Sequence, residues 1–495
     1  MKAQVVVNKH FQVGEIDKRI YGSFIEHLGR AVYGGIYEPT HKTADENGFR
    51  QDVIDLIQEI DVPIVRYPGG NFVSGYYWED GTGDKSKRPH RQELAWESIE
   101  TNEVGIDEFQ QWAKKANTQI NMAVNLGTRG PIDAQNLVEY CNSERDTYYA
   151  NLRRQNGFDQ PFKIKTWCLG NEMDGFWQIG SKTSQEYGRI ACEAAKLMKW
   201  TDPDIELVVC GSSGYGMPTF GQWELDVLDH TYEHVDYISL HEYYNNKKEN
   251  YGDFLGRSVH MDGFIKSVAA ICDAIQAKKH SPKKVHLAFD EWNVWYRTAN
   301  MAGGWQIAPP LNEDTYNFED ALLVGCLLMT LQNNCDRVKI ACLAQLVNVI
   351  APIMTENGGN AWVQTTFYPY LYASRYGRGT TLKHITQCGS YTTTDNLTVP
   401  YLETSVIHDA DKREIVVFAV NRSLDEDMEL SLTLEGFATA CMKEHVELYA
   451  ENLKLTNTKD AQNVKPTPVA VTNTVSAEQI IQLKKHSWNM IRFAY

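Results

Sequence analysis

The strongest constraint on the fold is an alternation of short apolar segments with longer amphipathic segments that begins near residue 20. Short apolar runs indicate buried strands, whereas amphipathic runs with helical periodicity indicate helices. The predicted strands are Ile20–Glu26, Pro63–Tyr67, Gln119–Leu126, Lys163–Leu169, Glu206–Gly211, Tyr237–Tyr243, Lys284–Asp290 and Arg337–Gln345. The clearest predicted helices are Phe49–Ile60, Ile106–Ala116, Ser184–Trp200, Ser258–Ala277 and Phe318–Gln332. Eight strand–helix pairs over roughly 360 residues predict an α/β fold, a (β/α)8 TIM barrel.

The alternative fold for such an alternation is an open, doubly wound sheet. That fold usually carries a glycine-rich phosphate-binding turn directly after its first strand. The first predicted strand instead continues as Gly22-Ser23-Phe24-Ile25-Glu26, which lacks the required glycines. The closed barrel is therefore favoured.

The pattern changes after about residue 380, where alternating apolar and polar residues replace the helical periodicity. Examples are Glu414–Val420 and Met428–Leu434. Such alternation is typical of an antiparallel β-sandwich. The opening segment Ala3–Phe11 also has a strand pattern and precedes the barrel. We therefore predict a barrel over residues 18–378 and a jelly-roll-like antiparallel β-sandwich over residues 379–495, completed by a strand within residues 1–17.

Composition narrows the choice of partners and compartment. The formal net charge of −16 disfavours nucleic acid or an anionic membrane as the main partner. The longest candidate for a membrane span, residues 321–331, has about half the required length, and the N-terminal apolar run is too short for a signal peptide. Ten cysteines without paired spacing suggest free thiols in a reducing compartment. We expect a cytoplasmic protein.

Two glutamates carry the strongest indication of chemistry. Glu172 and Glu291 each follow a predicted buried strand. The carboxyl ends of barrel strands meet at one mouth, and two carboxylates in one cleft are the groups that cleave a glycosidic bond. Either glutamate alone is also explained by a helix cap or an ion pair. Strand alternation further predicts that Phe289 and Leu287 share the inward face with Glu291.

Their neighbours distinguish the two glutamates. Glu172 follows Asn171, whose amide can hold a sugar hydroxyl beside the leaving oxygen. We therefore predict that Glu172 is the general acid/base and that Glu291 is the nucleophile of a retaining glycosidase. The paired glutamates do not select a particular sugar. An endoglucanase, a β-xylosidase and a non-catalytic carbohydrate-binding barrel remain as alternatives.

Longer segments around these glutamates resemble one enzyme family. They are Tyr21–Arg30, Arg66–Asn71, Trp167–Trp177, Asp290–Tyr296 and Ala344–Asn348. Together they resemble the α-L-arabinofuranosidases of glycoside hydrolase family 51, and the likeness runs through most of the chain. The resemblance implies an exo-acting enzyme that acts on arabinose-containing oligosaccharides, needs no cofactor or metal, and assembles as a homohexamer.

The resemblance also implies a set of sugar contacts. They are Glu26, Arg66, Asn71, Asn171, His241, Tyr243, Trp295 and Gln345. Among other aromatic residues, Trp96 and Trp177 are expected on the same face. The long loop over residues 71–104 is expected to form one side of the pocket.

One motif points to different chemistry. His230-Thr231-Tyr232-Glu233-His234 matches a zinc protease pattern. It lies at the end of a predicted helix, on the rim opposite the strand ends that carry the glutamates. We interpret it as a solvated helix surface, and we expect no metal.

Overall fold

A computed structural model describes residues 1–297, 303–471 and 474–495 of the chain. Eight parallel strands close into a barrel in which each strand pairs with the preceding and the following strand of the series. In chain order, barrel strands one to eight are Gly22–Phe24, Ile64–Tyr67, Gln119–Ala123, Thr166–Leu169, Glu206–Val209, Tyr237–Tyr244, His286–Val294 and Val338–Ala344. The predicted TIM barrel is confirmed.

Helices surround the barrel and connect its strands. They are Gln51–Ile60, Ile106–Ala116, Pro131–Asn142, Tyr148–Gln155, Ser184–Thr201, Gln222–Thr231, Tyr251–Leu255, Arg257–Lys279, Phe318–Asn333 and Phe367–Tyr376. Phe318–Asn333 is buried almost throughout, because it packs against barrel helices and also against strands of the second sheet. Its apolar residues therefore surround the helix instead of forming one stripe. In the described part of the chain, no helix has both the length and the apolar character needed to cross a bilayer.

The segment between barrel strand two and the next barrel helix contains short ordered elements. It holds 3-10 turns at Asn71–Gly75, Trp78–Gly81 and Lys85–Lys87 and a hairpin formed by Arg91–Glu93 and Ser98–Glu100. Another 3-10 turn, Lys18–Tyr21, precedes barrel strand one. Two more hairpins pair Ile353–Thr355 with Ala361–Val363 and Ser390–Thr392 with Thr398–Pro400.

The second unit is a nine-stranded sheet. Its strands are Lys2–Glu15, Thr380–Cys388, Leu402–Asp409, Glu414–Asn421, Met428–Glu435, Cys441–Leu448, Thr467–Pro468, Glu478–Leu483 and Ser487–Ala494. All pairs are antiparallel except that Lys2–Glu15 runs parallel to Met428–Glu435. Apolar side chains from both ends of the sheet meet in one core, separate from the core around the barrel. The N-terminal strand therefore lies inside this sheet, between Thr380–Cys388 and Met428–Glu435.

The prediction for barrel strand seven was wrong in two respects. The strand continues to Val294, so Glu291 lies within it and not beyond its end. Phe289 packs against Phe264 on an outer helix, and Leu287 belongs to the same outer core, whereas Ala288 faces the barrel interior. The strand register shifts between Ala288 and Glu291, which marks a β-bulge. A bulge inserts an extra residue and reverses the alternation that the sequence suggests.

All ten cysteines are free thiols, as predicted, and eight of them are buried.

Candidate active site

Glu172 reaches the barrel mouth through a turn that follows strand four. Gly170 has φ of +94° and Glu172 has φ of +43°, so the chain turns sharply just after Leu169. Glycine adopts such positive φ values without steric cost, whereas a glutamate does so only where its surroundings hold it. The Glu172 side chain is buried and points towards strands six and seven, where it contacts His241.

Asp290 and Glu291 come from the bulged part of strand seven. Both side chains are directed into the barrel, although adjacent residues of a regular strand would face opposite sides. Asp290 lies deeper, next to Cys168 of the barrel interior, and Glu291 lies above it at the mouth. The bulge thereby places two carboxylates of one strand in the same interior.

The two glutamates face each other across a short gap. One carboxylate oxygen of Glu172, one of Glu291 and a ring nitrogen of His241 all lie within 4.8 Å of one another. Carboxyl groups about 5–5.5 Å apart are typical of retaining glycosidases, whereas inverting enzymes need room for an additional water. The short gap between the nearest oxygens agrees with the close spacing of a double-displacement site.

Glu291 is held by two donors. Arg66 donates from Nη1 to Glu291 Oε1 at 2.6 Å, and the Tyr243 hydroxyl donates to Oε2 at 2.8 Å. Burial raises the pKa of Glu291, while His241 and Arg66 act in the opposite direction. Burial has the larger effect, so the pKa of Glu291 lies above its usual value. Both glutamates accept two hydrogen bonds, but Glu291 accepts one of them from Arg66, a permanent cation, which stabilises its ionised form.

His241 lies between the carboxylates. Its Nδ1 is 3.0 Å from Glu172 Oε1 and 3.6 Å from Glu291 Oε2, and its Nε2 is 3.1 Å from Asp290 Oδ1. Burial opposes the charge on this ring, but the surrounding carboxylates outweigh burial and raise the pKa of His241 to about 10. The ring is therefore an imidazolium at neutral pH, and it donates one hydrogen bond to Glu172 and one to Asp290.

Glu172 has a second partner on the outer side of the mouth. The indole Nε1 of Trp177 donates to Glu172 Oε2 at 2.7 Å. Trp177 is 42% exposed, and its neighbour Phe176 is 89% exposed. Glu172 therefore borders an open aromatic surface, whereas Glu291 is enclosed by Arg66 and Tyr243.

Glu26 forms the opposite side of the pocket. Its Oε1 accepts from the Phe72 backbone at 2.9 Å and from Trp96 Nε1 at 3.0 Å, and its own backbone N–H donates to Gln345 Oε1. Burial raises the pKa of Glu26 to about 8, despite the hydrogen bonds that favour its ionised form. The loop over residues 71–104 thus contributes Trp96 to the pocket.

The remaining predicted contacts also gather at this mouth. Asn171 accepts from Arg66 Nη2 at 2.8 Å, and its Nδ2 lies 3.4 Å from Asn71 Oδ1. The Trp295 ring packs edge-on against Tyr243 with ring centroids 5.1 Å apart. His230 lies elsewhere, on the outer helix Gln222–Thr231, where it contacts Gln185.

Sequence reasoning assigned no role to Asp290. This carboxylate is 1% exposed and lies 3.3 Å from Arg66 Nε and 3.1 Å from His241. Arg66 and a charged His241 hold the pKa of Asp290 below its usual value, although burial alone would raise it. The adjacent acidic pair Asp290-Glu291 in an apolar segment was the available signal, but regular alternation would have turned one of the two outwards.

The atoms of Glu172, His241 and Glu291 are close enough to bind a metal ion. Their polar atoms are, however, engaged by Arg66, Tyr243, Trp177 and Asp290. An arginine bonded directly to one candidate ligand opposes the binding of a cation. Charge balance by Arg66 and His241 is therefore the better account of this cluster.

Comparisons with known proteins agree with this geometry. Residues 56–257 match the α-L-arabinofuranosidase 1 domain, and residues 290–487 match the α-L-arabinofuranosidase C-terminal domain. The chain is 56% identical to the intracellular exo-α-(1→5)-L-arabinofuranosidase 1 of Bacillus subtilis, over 99% of both chains. The chain belongs to the α-L-arabinofuranosidases of glycoside hydrolase family 51.

Two further relatives extend this result. A family 51 α-L-arabinofuranosidase structure from Bifidobacterium longum is 43% identical, with a TM-score of 0.95 over 99% of both chains. An exo-α-(1→6)-L-arabinofuranosidase of Bifidobacterium longum is 47% identical over 93% of this chain and 91% of that protein. The arabinofuranosidase described here is thus a glycoside hydrolase, and its relatives differ in the linkage given in their names.

Proposed function

We propose that this arabinofuranosidase releases terminal α-L-arabinofuranosyl residues by double displacement. In the first step, Glu291 attacks the anomeric carbon while Glu172 donates a proton to the departing glycosidic oxygen. The bond from carbon to the leaving oxygen breaks as the bond to Glu291 forms, which gives a glycosyl-enzyme and a free alcohol. The proposal is supported by the short gap between the two carboxylates.

In the second step, Glu172 acts as a base. It removes a proton from water, the water oxygen attacks the anomeric carbon, and Glu291 departs as a carboxylate. Because each step inverts the anomeric centre, the sugar leaves with the configuration that it had in the substrate. Glycosylation removes the negative charge of Glu291, so a Glu172 carboxylate that acts as a base no longer has a charged carboxylate beside it, which favours this second role.

The contacts of the two glutamates support this division of roles. Arg66 and Tyr243 bond to Glu291 and stabilise its ionised form, as a nucleophile requires. Glu172 instead borders the exposed Trp177, on the side where a leaving group has access. The residues proposed to bind the sugar are Glu26, Arg66, Asn71, Asn171, His241, Tyr243, Trp295 and Gln345.

Two variants test the role assignment. With an activated aryl arabinofuranoside, Glu172→Ala should still form the glycosyl-enzyme but hydrolyse it slowly, and azide should restore turnover by replacing water. Glu291→Ala should be almost inactive with every substrate. The azide product of Glu172→Ala should retain the substrate configuration, and an inverted azide product would reverse the assignment.

We further propose that α-(1→5)-linked arabino-oligosaccharides are the preferred substrates, in agreement with the name of the Bacillus subtilis relative. The name of the α-(1→6) relative supplies the competing choice. Initial rates on α-(1→5)- and α-(1→6)-linked arabinobiose at equal concentration decide between them. A faster rate on the α-(1→6) isomer would overturn this preference.

A β-xylosidase or endoglucanase activity of the same pocket is the remaining alternative from the sequence. Paired hydrolysis of aryl α-L-arabinofuranoside and aryl β-D-xylopyranoside measures the sugar preference directly. We expect the arabinofuranoside to be cleaved at least about 100-fold faster. A xylopyranose ring would leave one or two buried hydrogen bonds of the pocket unmade, and that loss is large enough to give this ratio.

The expected location and assembly rest on similarity. The relatives named intracellular support a cytoplasmic enzyme. A homohexamer is proposed from the family resemblance. Light scattering after size-exclusion chromatography should give about six times the chain mass of 56.4 kDa, and a monomeric mass would refute the hexamer.

A further inference from the structure

His27 lies behind the sugar pocket, and the mechanism described above gives it no role. It follows Glu26 in the chain, just beyond barrel strand one, so the two side chains leave the backbone at neighbouring positions. Glu26 forms one side of the pocket, whereas the His27 side chain is 1% exposed and contacts the loop over residues 71–104 near both of its ends. His27 therefore joins a wall of the pocket to the loop that closes one side of it.

Both ring nitrogens of His27 have a partner. Nδ1 lies 2.8 Å from Glu100 Oε2, and Nε2 lies 2.8 Å from the hydroxyl of Tyr67 at the end of barrel strand two. Glu100 Oε1 also accepts hydrogen bonds from the Asn102 backbone at 2.6 Å and from the Tyr33 hydroxyl. Burial would raise the pKa of Glu100, but His27 and these hydrogen bonds outweigh burial and hold the pKa below its usual value. Glu100 is therefore a buried carboxylate that is fixed from three sides.

Stability alone does not require such a polar pair at this position. Moving a carboxylate and an imidazole out of water costs free energy, and well-packed apolar residues of similar volume often stabilise a protein equally well. A buried network of directional hydrogen bonds does, however, hold the groups that it joins in one arrangement. The pair of His27 and Glu100 is thus suited to fixing the position of the loop.

Two routes lead from His27 through the loop to Glu26. Phe72 stacks on the His27 ring with centroids 4.7 Å apart and an interplanar angle of 15°, and its backbone N–H donates to Glu26 Oε1 at 2.9 Å. Near the other end of the loop, Glu100 belongs to the hairpin that carries Trp96. The indole Nε1 of Trp96 donates to the same Glu26 oxygen at 3.0 Å. Both of these donors therefore belong to segments that His27 contacts.

We propose that His27 is a positioning residue for sugar binding, which acts through Glu26. Together with Glu100, it fixes the turn of Phe72 and the hairpin of Trp96, and these two segments set the position of the Glu26 carboxylate at the pocket. The proposal rests on the proposed role of Glu26 as a sugar contact. Loss of His27 should therefore weaken substrate binding more than it slows the chemical steps.

Three variants of the full-length protein separate positioning from folding. His27→Gln removes the ring that contacts the loop, and Glu100→Gln keeps the size of the side chain but removes its charge. His41→Gln is the matched control, because His41 is also 5% exposed and its ring nitrogens contact Thr43 and the Gly359 carbonyl instead of the loop. Michaelis–Menten parameters for an aryl arabinofuranoside are measured well below the melting temperature, and circular dichroism checks that each variant is folded.

His27→Gln and Glu100→Gln should each raise KM about 10-fold and lower kcat less than about 3-fold, because one misplaced hydrogen bond to the sugar accounts for such a factor. His41→Gln should leave both parameters unchanged. An unchanged KM in the two loop variants, or a fall in kcat alone, would overturn the proposal. If His27→Gln does not fold, the KM of Glu100→Gln decides.

A double-variant cycle identifies the route. Glu26→Gln should itself raise KM, and in that background His27→Gln should raise KM by less than about 2-fold, because its effect passes through Glu26. A further rise of about 10-fold, as in the wild-type background, would show that His27 acts elsewhere and would overturn the proposal. An unchanged KM in Glu26→Gln would overturn both the sugar contact and the proposal. Hydrolysis of the arabinofuranoside by the wild type tests the proposed function by itself.

Discussion

At the scale of single residues, the catalytic pair depends on what each carboxylate contacts. Tyr243 donates to Glu291 Oε2, and this hydrogen bond lowers the pKa of Glu291, while burial raises it. The adjacent Tyr244 is also buried, but its hydroxyl has no hydrogen-bond partner in the described part of the chain. The two tyrosines therefore form a matched pair in one strand.

Removal of the Tyr243 hydroxyl should weaken the nucleophile. A hydrogen bond to a charged group contributes about 1.5–3 kcal/mol, so Tyr243→Phe should lower kcat/KM by about 10- to 100-fold. The pKa of Glu291 should rise, and because only the ionised form attacks, the acidic limb of the pH profile should move to higher pH. Tyr244→Phe should leave both the rate and the pH profile nearly unchanged. An unshifted acidic limb in Tyr243→Phe would contradict this role.

The imidazolium of His241 leads to a prediction of its own. Its charge lowers the pKa of Glu291 and the pKa of Asp290. His241→Gln places a polar but uncharged side chain where the ring stood. The variant loses the charge-assisted hydrogen bonds to Glu172 and Asp290, so kcat should fall about 10- to 1,000-fold. Measured kcat/KM against pH should show an acidic limb at higher pH than in the wild type. A variant with a lower kcat and an unshifted acidic limb would indicate only a packing role.

At the scale of elements, the sequence predicted the barrel strands well but not the local form of strand seven. Apolar segments between amphipathic helices locate the strands, because a parallel strand that is buried on both faces needs apolar residues along its whole length. Glu172, Arg66 and Tyr243 could be found in this way, since residues near strand ends share one mouth. The bulge at Ala288–Glu291 could not be found, because an extra residue in a strand is set by pairing with its neighbours and leaves no composition signal.

The hairpin of Arg91–Glu93 and Ser98–Glu100 has a positioning role. Glu93 accepts from the Ala95 and Trp96 backbone N–H groups at 2.8 and 2.7 Å, and the turn fixed in this way directs Trp96 towards Glu26. The length of the loop over residues 71–104 marked it as functional, but the sequence gave no means of deriving these hydrogen bonds. They form only when the turn is closed against the barrel.

Glu93→Ala should therefore disturb the sugar pocket indirectly, through the position of Trp96. With two backbone donors unpaired, Trp96 should lose its fixed position, and kcat/KM should fall about 10-fold, chiefly through KM. Leu94→Ala, which removes an adjacent side chain that is 63% exposed, serves as the control and should behave as wild type. Michaelis–Menten parameters for an aryl arabinofuranoside measure both. A fall in kcat with KM unchanged would contradict a role in positioning the sugar contact.

At the scale of the whole molecule, the N-terminal strand connects the two parts of the second sheet. Lys2–Glu15 pairs with Thr380–Cys388 on one side and with Met428–Glu435 on the other. The sheet in turn covers the apolar helix Phe318–Asn333, which packs against the barrel helices. A substitution that destabilises the first strand should therefore also destabilise the barrel, because both units pack against this helix.

Val5 and Gln4 test this connection. Val5 is fully buried between Thr386 and Leu432, whereas the neighbouring Gln4 is exposed. Val5→Ala removes two buried methyl groups and should cost about 2 kcal/mol, which lowers the melting temperature by a few degrees in a chain of this size. Gln4→Ala should have almost no effect. Calorimetry of Val5→Ala should show one transition moved to lower temperature, with kcat at 25 °C unchanged, because the helix core joins the two units. Two separate transitions, of which only one moves, would show that the sheet unfolds independently of the barrel.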